Sequence, residues 1–469
     1  MTGMRRWLYL MIRHRIIVLL LTCLTLAGGW WALKTLPIDS FPDVTPVRVE
    51  VDTEVDGLAA EEIEKLISYP IEQALLGIPR VTNIHSTSKF SLSVVEVQFD
   101  SDTDIYWARS QVFQQLSNAT LPPGTQPGMA PMDEGTGQVY IYALTSQKLN
   151  NMQLRILQDF YVKPQLRVVP GVADVPMFGG FVMQFQISVD PRRLTALGLG
   201  MSDVINAVQN NNQSVGGNYV RRGSMQYVVR GLGLIRNVED LKNTVIATPN
   251  GVPVRIGDVA DVHLGPEDRQ GAVSMNGEGE IVVGIVLKRL GENTAEVVQR
   301  VKDKLNELQA RLNSGAHFNG LDTRDVKVVT VYDQSYIIDL STHTVETALG
   351  AGVILVTIIL LLFMGDLKVA LIPIFANFFC IAVAFLLMKR FGLTANLLSL
   401  GGLALSVGMM VDATIMIVEN VFRHVREVDH GTASQADVVV EGMTEIMSPT
   451  LFAVIVIIVV FAPVLTLKG

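Results

Sequence analysis

Charge is scarce in this chain. Only 17% of its 469 residues are Asp, Glu, Lys or Arg, against about 25% in soluble domains. A surface wetted on all sides is hard to build from that composition, which leans toward a membrane. Positive charge is scarcer still: 37 Lys and Arg face 45 Asp and Glu, a net charge of -8. That balance argues against a nucleic-acid binder, which usually shows a basic surface. Cysteine is nearly missing. Cys23 and Cys380 both lie inside apolar runs, too far apart for a motif, and read as buried thiols. The long middle segment has none, so no disulfide can form there. Aromatics reach only 7%, which does not advertise an aromatic-lined pocket for organic compounds. No glycine-rich loop ends in Lys-Ser or Lys-Thr, which argues against ATP as the energy source. The 7 histidines are scattered without an H-x-x-x-H pair, and no cofactor is expected. Ser86-Thr87-Ser88-Lys89 fits the S-x-x-K pattern of serine acyltransferases, but it precedes a strand pattern instead of opening a helix, and so short a match is set aside.

Long hydrophobic runs are what the chain has instead. The first, Ile16–Leu33, follows Arg5, Arg6, Arg13 and Arg15 and ends at Trp30 and Trp31. A signal peptide also begins with basic residues and an apolar stretch. This run, however, approaches the roughly 20 residues of a bilayer crossing, and no small-x-small cleavage site follows it. The tryptophans suit the outer water–lipid boundary, and the arginines place the N-terminus in the cytoplasm. Further crossings are expected at Val345–Met364, Val369–Met388, Asn396–Phe422 and Pro449–Leu467. The links Gly365–Lys368 and Lys389–Gly392 are short enough for antiparallel hairpins. Residues from about 35 to 344 then lie on the periplasmic (or extracellular) side, and Arg423, His424 and Arg426 in the cytoplasm, as the positive-inside rule prefers. Lys389 and Arg390 go against it. Five crossings leave Lys468-Gly469 outside, an abrupt ending that reads as a truncation.

The outer segment far exceeds an ordinary loop and must hold folded domains. Strand patterns at Val47–Val55 and Val94–Phe99 alternate with helix patterns at Ala59–Leu75, interrupted by Pro70, and Thr103–Ala119. The rhythm returns with strand Val139–Leu144, helix Met152–Val168, strand Met183–Val189, strand Ile281–Leu287, helix Thr294–Leu312 and strand Val326–Val331. This is the β-α-β, β-α-β order of split, ferredoxin-like units, seen twice. A stretch of short strands and Gly/Asn turns is inserted in the second. The fold class is therefore an α+β membrane protein: a transmembrane helix bundle with a large periplasmic region and a protruding insert.

In this order the elements resemble the N-terminal half of a resistance–nodulation–division transporter. The stretches Leu36–Val51 (LPIDSFPDVTPVRVEV), Val189–Leu199, Asn396–Asn420 and Ser448–Val464 carry the resemblance. Val229–Leu241 and the Asp412…Glu419-Asn420 end of the fourth helix are similar to the heavy-metal efflux branch. The resemblance implies residues 1–34 as cytoplasmic start and first crossing, and 35–135 as a first porter subdomain. It implies 136–344 as a second, with a docking insertion at about 191–265, and 345–469 as crossings two to five. It also implies a proton/substrate antiporter, not an enzyme, working as a homotrimer. A periplasmic adaptor (membrane fusion) protein and an outer-membrane channel would be its partners, and a metal cation its cargo.

Asp412 is the sharpest chemical signal. An ionised carboxylate at bilayer depth costs a few kcal/mol, and burial raises its proton affinity, which suits a proton relay. Gly408, Asp412 and Glu419 share a helix face, with Glu419 as a further relay step or an interfacial carboxylate. Gly401, Gly402 and Gly408 permit close helix approach. The resemblance pairs the acid with a basic residue on a helix of the second half. The metal stays open. Ser406 stands where divalent-cation members of the family carry a second aspartate. Met409, Met410 and Met416 flank Asp412 and are soft enough for Cu(I) or Ag(I), though methionine in an apolar helix is more often packing. Met129, Met132, Met177, Met183 and Met275 show no ligand spacing. Two alternatives accompany the metal pump: export of organic or lipophilic compounds, and a truncated fragment acting only in assembly.

Overall fold

Basic and apolar residues open the chain as two helices, α1 (Thr2–Arg13) and α2 (Arg15–Thr35), parted at His14, where φ is -104° and ψ 34°. The structure, a computed structural model, describes residues 2–39, 45–231, 233–268, 271–277, 279–315, 318, 320–364, 367–427 and 434–462.

The first α/β unit begins with β1 (Arg48–Glu54), whose valines point alternately into the core as the two-residue strand period requires. There follow α3 (Ala60–Ile63), a π-helical turn at Glu64–Ser68, α4 (Tyr69–Leu75), β2 (Val81–Lys89), β3 (Leu92–Phe99), α5 (Ile105–Leu116) and β4 (Gly128–Met129). The strands lie in the order β2-β3-β1-β4, every neighbour antiparallel, which is the split β-α-β arrangement. Val49, Val51, Val95 and Val97 meet Ile63, Ile67, Ile71 and Leu75 in its core.

Pro70 does not interrupt the first helix. Proline has no N–H and its ring crowds the carbonyl four residues back. The chain widens the preceding turn instead: Tyr69 N bonds the Glu64 carbonyl, five residues away, and the helix continues. The second unit repeats the device. Its elements are β5 (Asp133–Thr145), α6 (Asn151–Leu157), a π-helical turn at Gln158–Val162, α7 (Lys163–Arg167), β6 (Val172–Asp174) and β7 (Met177–Phe178). Here Lys163 N reaches the Gln158 carbonyl, and Pro164 follows the π turn at the same offset as Pro70.

An insert then leaves the second unit: β8 (Met183–Val189), α8 (Pro191–Ala196), α9 (Met201–Asn211), β9 (Val215–Arg222), β10 (Met225–Gly231), α10 (Val238–Lys242), β11 (Val245–Ala247), β12 (Val254–Arg255), α11 (Ile256–Val259) and β13 (Ala260–Pro266). The unit closes with β14 (Val282–Arg289), α12 (Thr294–Asn313) and β15 (Lys327–Asp333). Its sheet runs β15-β5-β14-β6, with β7 also on β14, the same split topology. One expected strand changes sheets. Met183–Val189 belongs to the insert, paired with β13. Its expected place in the unit is taken by β6 and β7, too short to show a period in sequence.

Four helices follow among the described residues: α13 (Gln334–Met364), which runs straight out of β15, α14 (Leu367–Arg390), α15 (Leu397–Glu427) and α16 (Gln435–Phe461). Among the described residues, α2, α14, α15 and α16 are long and apolar enough to cross a membrane, and α13 contains the shorter apolar stretch Gly350–Ile359. α16 starts at Gln435, well before the expected Pro449, and carries that proline inside. Its first turns hold Asp437, Glu441 and Glu445, so hydropathy alone misses them. Residues 365–366 of the expected hairpin link and 463–467 of the expected last crossing lie outside the described residues.

Candidate functional site

α15 is fixed at its N-terminal end by its own cap. Asn396 Oδ1 accepts from the Leu398 and Ser399 amides at 3.1 and 2.9 Å, while Ser399 Oγ accepts from Asn396 N at 2.9 Å. The helix packs on α13, α14 and α16, and one face buries Leu400, Leu403 and Asn420. The other carries Leu405, Gly408, Asp412, Met416 and Glu419, three or four residues apart and all exposed. Such spacing makes one stripe. Among the described residues no hydrogen bond or ion pair reaches the side chain of Asp412 or of Glu419.

The glycines expected beside the acid share this openness. A Cβ built at Gly401, Gly402 or Gly408 meets nothing within 4 Å, so the described residues do not make the close approach there. Two other glycines do make one. At Gly29 of α2 a Cβ would stand 2.4 Å from the Ala382 Cβ of α14, and at Gly442 of α16 one would stand 3.0 Å from Val421 Cα of α15.

Glu419 lies at a groove with Met416, Asn420, Arg423, Arg426 and Ile446, beside a polar cluster that links α15 to α16. Buried Asn420 donates through Nδ2 to the Gly442 carbonyl at 2.8 Å and to Glu445 Oε2 at 3.0 Å, and accepts from Arg423 at 2.8 Å. His424 Nε2 stands 3.4 Å from Glu445 Oε2. The sequence reading missed this cluster. Its one signal was an amide and several carboxylates inside helices otherwise apolar.

Met409 and Met416 are exposed on or near the Asp412 stripe, and Met410 is half-buried; Ser406 Oγ bonds back to the Gly402 carbonyl at 2.9 Å. Away from the helix bundle, Met129, Met177 and Met183 fall on β4, β7 and β8. Among the described residues no group of three or more His, Cys, Asp or Glu could hold a metal ion. Ser86–Lys89 lies within β2, where Ser88 Oγ shares a 2.7 Å hydrogen bond with Ser68 Oγ, itself 2.8 Å from Ser93 Oγ. These hydroxyls knit helix to sheet.

Residues 7–469 match the AcrB/AcrD/AcrF family. Protein HelA of Legionella pneumophila is 36% identical, over 98% of this chain and 44% of its own length. The cation efflux system protein CusA of Escherichia coli (strain K12) is 34% identical over the same shares. The cobalt-zinc-cadmium resistance protein CzcA of Cupriavidus metallidurans is 35% identical over 96% of this chain and 43% of its own length. A crystal structure of a heavy metal efflux pump superposes with a TM-score of 0.84 at 34% identity, over 98% of this chain and 44% of that one. The chain thus spans less than half the length of the relatives it matches.

Proposed function

Since the chain belongs to the AcrB/AcrD/AcrF family, we propose that it supplies the N-terminal half of an inner-membrane proton/substrate antiporter that exports heavy-metal cations. Asp412 carries the proton and Glu419 passes it toward the cytoplasmic end. Residues 35–135 and 136–344 are the two periplasmic porter subdomains, and the insert at about 191–265 is the docking surface. The complete protein works as a homotrimer with a periplasmic adaptor and an outer-membrane channel.

The observation that carries this reading is the stripe on α15. Its Asp412 has no partner among the described residues, although an unpaired carboxylate inside a bilayer costs a few kcal/mol. Such a group is retained where a proton or a cation from another helix can meet it. The small residues Gly401 and Gly408 lie along the same line and leave room for that helix. Relatives named for cation efflux and for cobalt-zinc-cadmium resistance support metal as the cargo.

The test uses the complete gene in a Gram-negative host lacking its own pumps. Asp412→Asn, at equal expression, is expected to abolish tolerance to Cu/Ag or to Zn/Co/Cd, whichever the wild type confers, and to leave tolerance to a lipophilic dye at the host level. Metal tolerance equal to wild type in the variant sinks the relay. Wild-type tolerance to the dye alone replaces the metal cargo with lipophilic compounds.

A further inference from the structure

The outer units and the membrane bundle meet at a polar joint that the relay does not explain. Directly after α2, the chain pairs with the turn that precedes α15. Ala395 N donates to the Pro37 carbonyl at 2.9 Å, Asp39 N donates to the Ala395 carbonyl at 3.2 Å, and Ile38 bridges Ala395 in parallel. Leu36 and Ala395 are buried there with Ala32, Leu400 and Leu403, so the strap is bonded to the bundle and packed onto it.

From this strap the Asp39 carboxylate reaches upward into the second outer unit. Thr294 Oγ1 donates to Asp39 Oδ1 at 2.5 Å, and Lys288 Nζ stands 3.9 Å from the same oxygen. Thr294 is the first residue of α12, a 20-residue helix, whose N-terminal partial positive charge favours a carboxylate. Lys288 comes from β14, the central strand flanked by β5 and β6. Its side chain is only 3% exposed, and its Nζ also donates to the Glu292 carbonyl at 2.8 Å. A buried lysine is held against heavy desolvation and tolerates little displacement of its partners.

We propose that Asp39 is a positioning residue through which displacement of α15 reaches the second outer unit. The path is short and continuous. Asp412 and the Asn396 cap share one rigid helix, Ala395 adjoins the cap, the strap is bonded to Ala395, and Asp39 grips β14 and α12. A rigid helix moving at its capped end must carry the strap with it or break two backbone hydrogen bonds. This inference rests on the transport reading above, because a joint transmits only if α15 moves.

The test keeps the two apart. In the complete protein, with Cys23 and Cys380 replaced by Ala, single fluorophores are placed at exposed Glu427 on α15 and at exposed Val168 in the second unit. Proteoliposomes are then given a proton gradient. In wild type both fluorophores are expected to respond. In Asp39→Asn and in Thr294→Val the Glu427 signal is expected to persist while the Val168 signal falls to background, and export is lost. Thr294→Ser, which keeps the hydroxyl, is expected to restore both. A Val168 response equal to wild type in both variants overturns the joint. No response at Glu427 in wild type instead overturns the transport reading beneath it.

Discussion

A glycine matters to a helix pair only where two backbones come close, and this bundle sorts its glycines on that ground. Gly29 faces Ala382 so tightly that even a methyl group would overlap its Cβ, Cα and carbonyl oxygen. Gly29→Ala is therefore expected to push α2 off α14 and cost about 1–3 kcal/mol, the usual range for overpacking. The check is the thermal unfolding midpoint of the purified complete protein. Gly408→Ala gives the contrast, because space at that position is open within the described residues. If another helix covers the Asp412 stripe, this variant leaves the α2–α14 contact intact and lowers export alone. Asn420 is a third kind of position. Replacing it with Leu removes its Nδ2 bonds to the Gly442 carbonyl and to Glu445 and takes the acceptor from Arg423, which is expected to cost about 1–2 kcal/mol for the hydrogen bonds lost.

At the scale of elements, the connection from β15 into α13 is stitched by charge. Lys302 of α12 stands 2.5 Å from Asp333, and Ser335 donates to the same carboxylate through its amide at 2.9 Å. Burial pushes the Asp333 proton affinity up, but the hydrogen bonds from Lys302 and Ser335 outweigh it and hold the carboxyl below its ordinary value. A carboxylate with a depressed native pKa contributes stability that is complete above the unfolded value, about 3.9, and is lost as pH falls through the native value. The unfolding midpoint is therefore expected to drop with acidification below about pH 4. Asp333→Asn should flatten part of that drop, and an unchanged pH profile in the variant would refute the assignment.

The same scale shows what the sequence made legible. Val282–Arg289 and Thr294–Asn313 follow the expected strand and helix almost to the residue, because buried β-branched runs and a clean apolar stripe between polar faces are strong signals. The fate of Met183–Val189 was not legible. Its alternation announces a strand but cannot name its partner, which arrives more than seventy residues later as β13 (from Ala260). The continuity of the helix through Pro70 was hidden too, since a π turn leaves no mark in composition. At the site, Asp412 announces itself by lying in apolar sequence. The joint at Asp39 does not, since its partners Lys288 and Thr294 are brought to it only by the fold.

For the molecule as a whole, the most telling surface is the β9–β10 hairpin, exposed along its full length. A two-stranded ribbon is marginal in water unless something packs on it, yet Val220, Tyr227 and Val228 are 56%, 50% and 77% exposed. Arg221, Arg222 and Arg230 keep the ribbon soluble without covering those side chains. In the proposed trimer the hairpin is expected to contact a neighbouring copy through these apolar residues. The double variant Tyr227→Ser, Val228→Lys touches no core residue, so the fold of each subunit should persist. Native mass spectrometry of the complete protein is expected to show the wild type as trimers and the variant shifted toward single subunits. A variant that remains trimeric would place the subunit contact elsewhere. The hairpin would then be the surface that meets the outer-membrane channel, and binding of that channel protein would fall in its place.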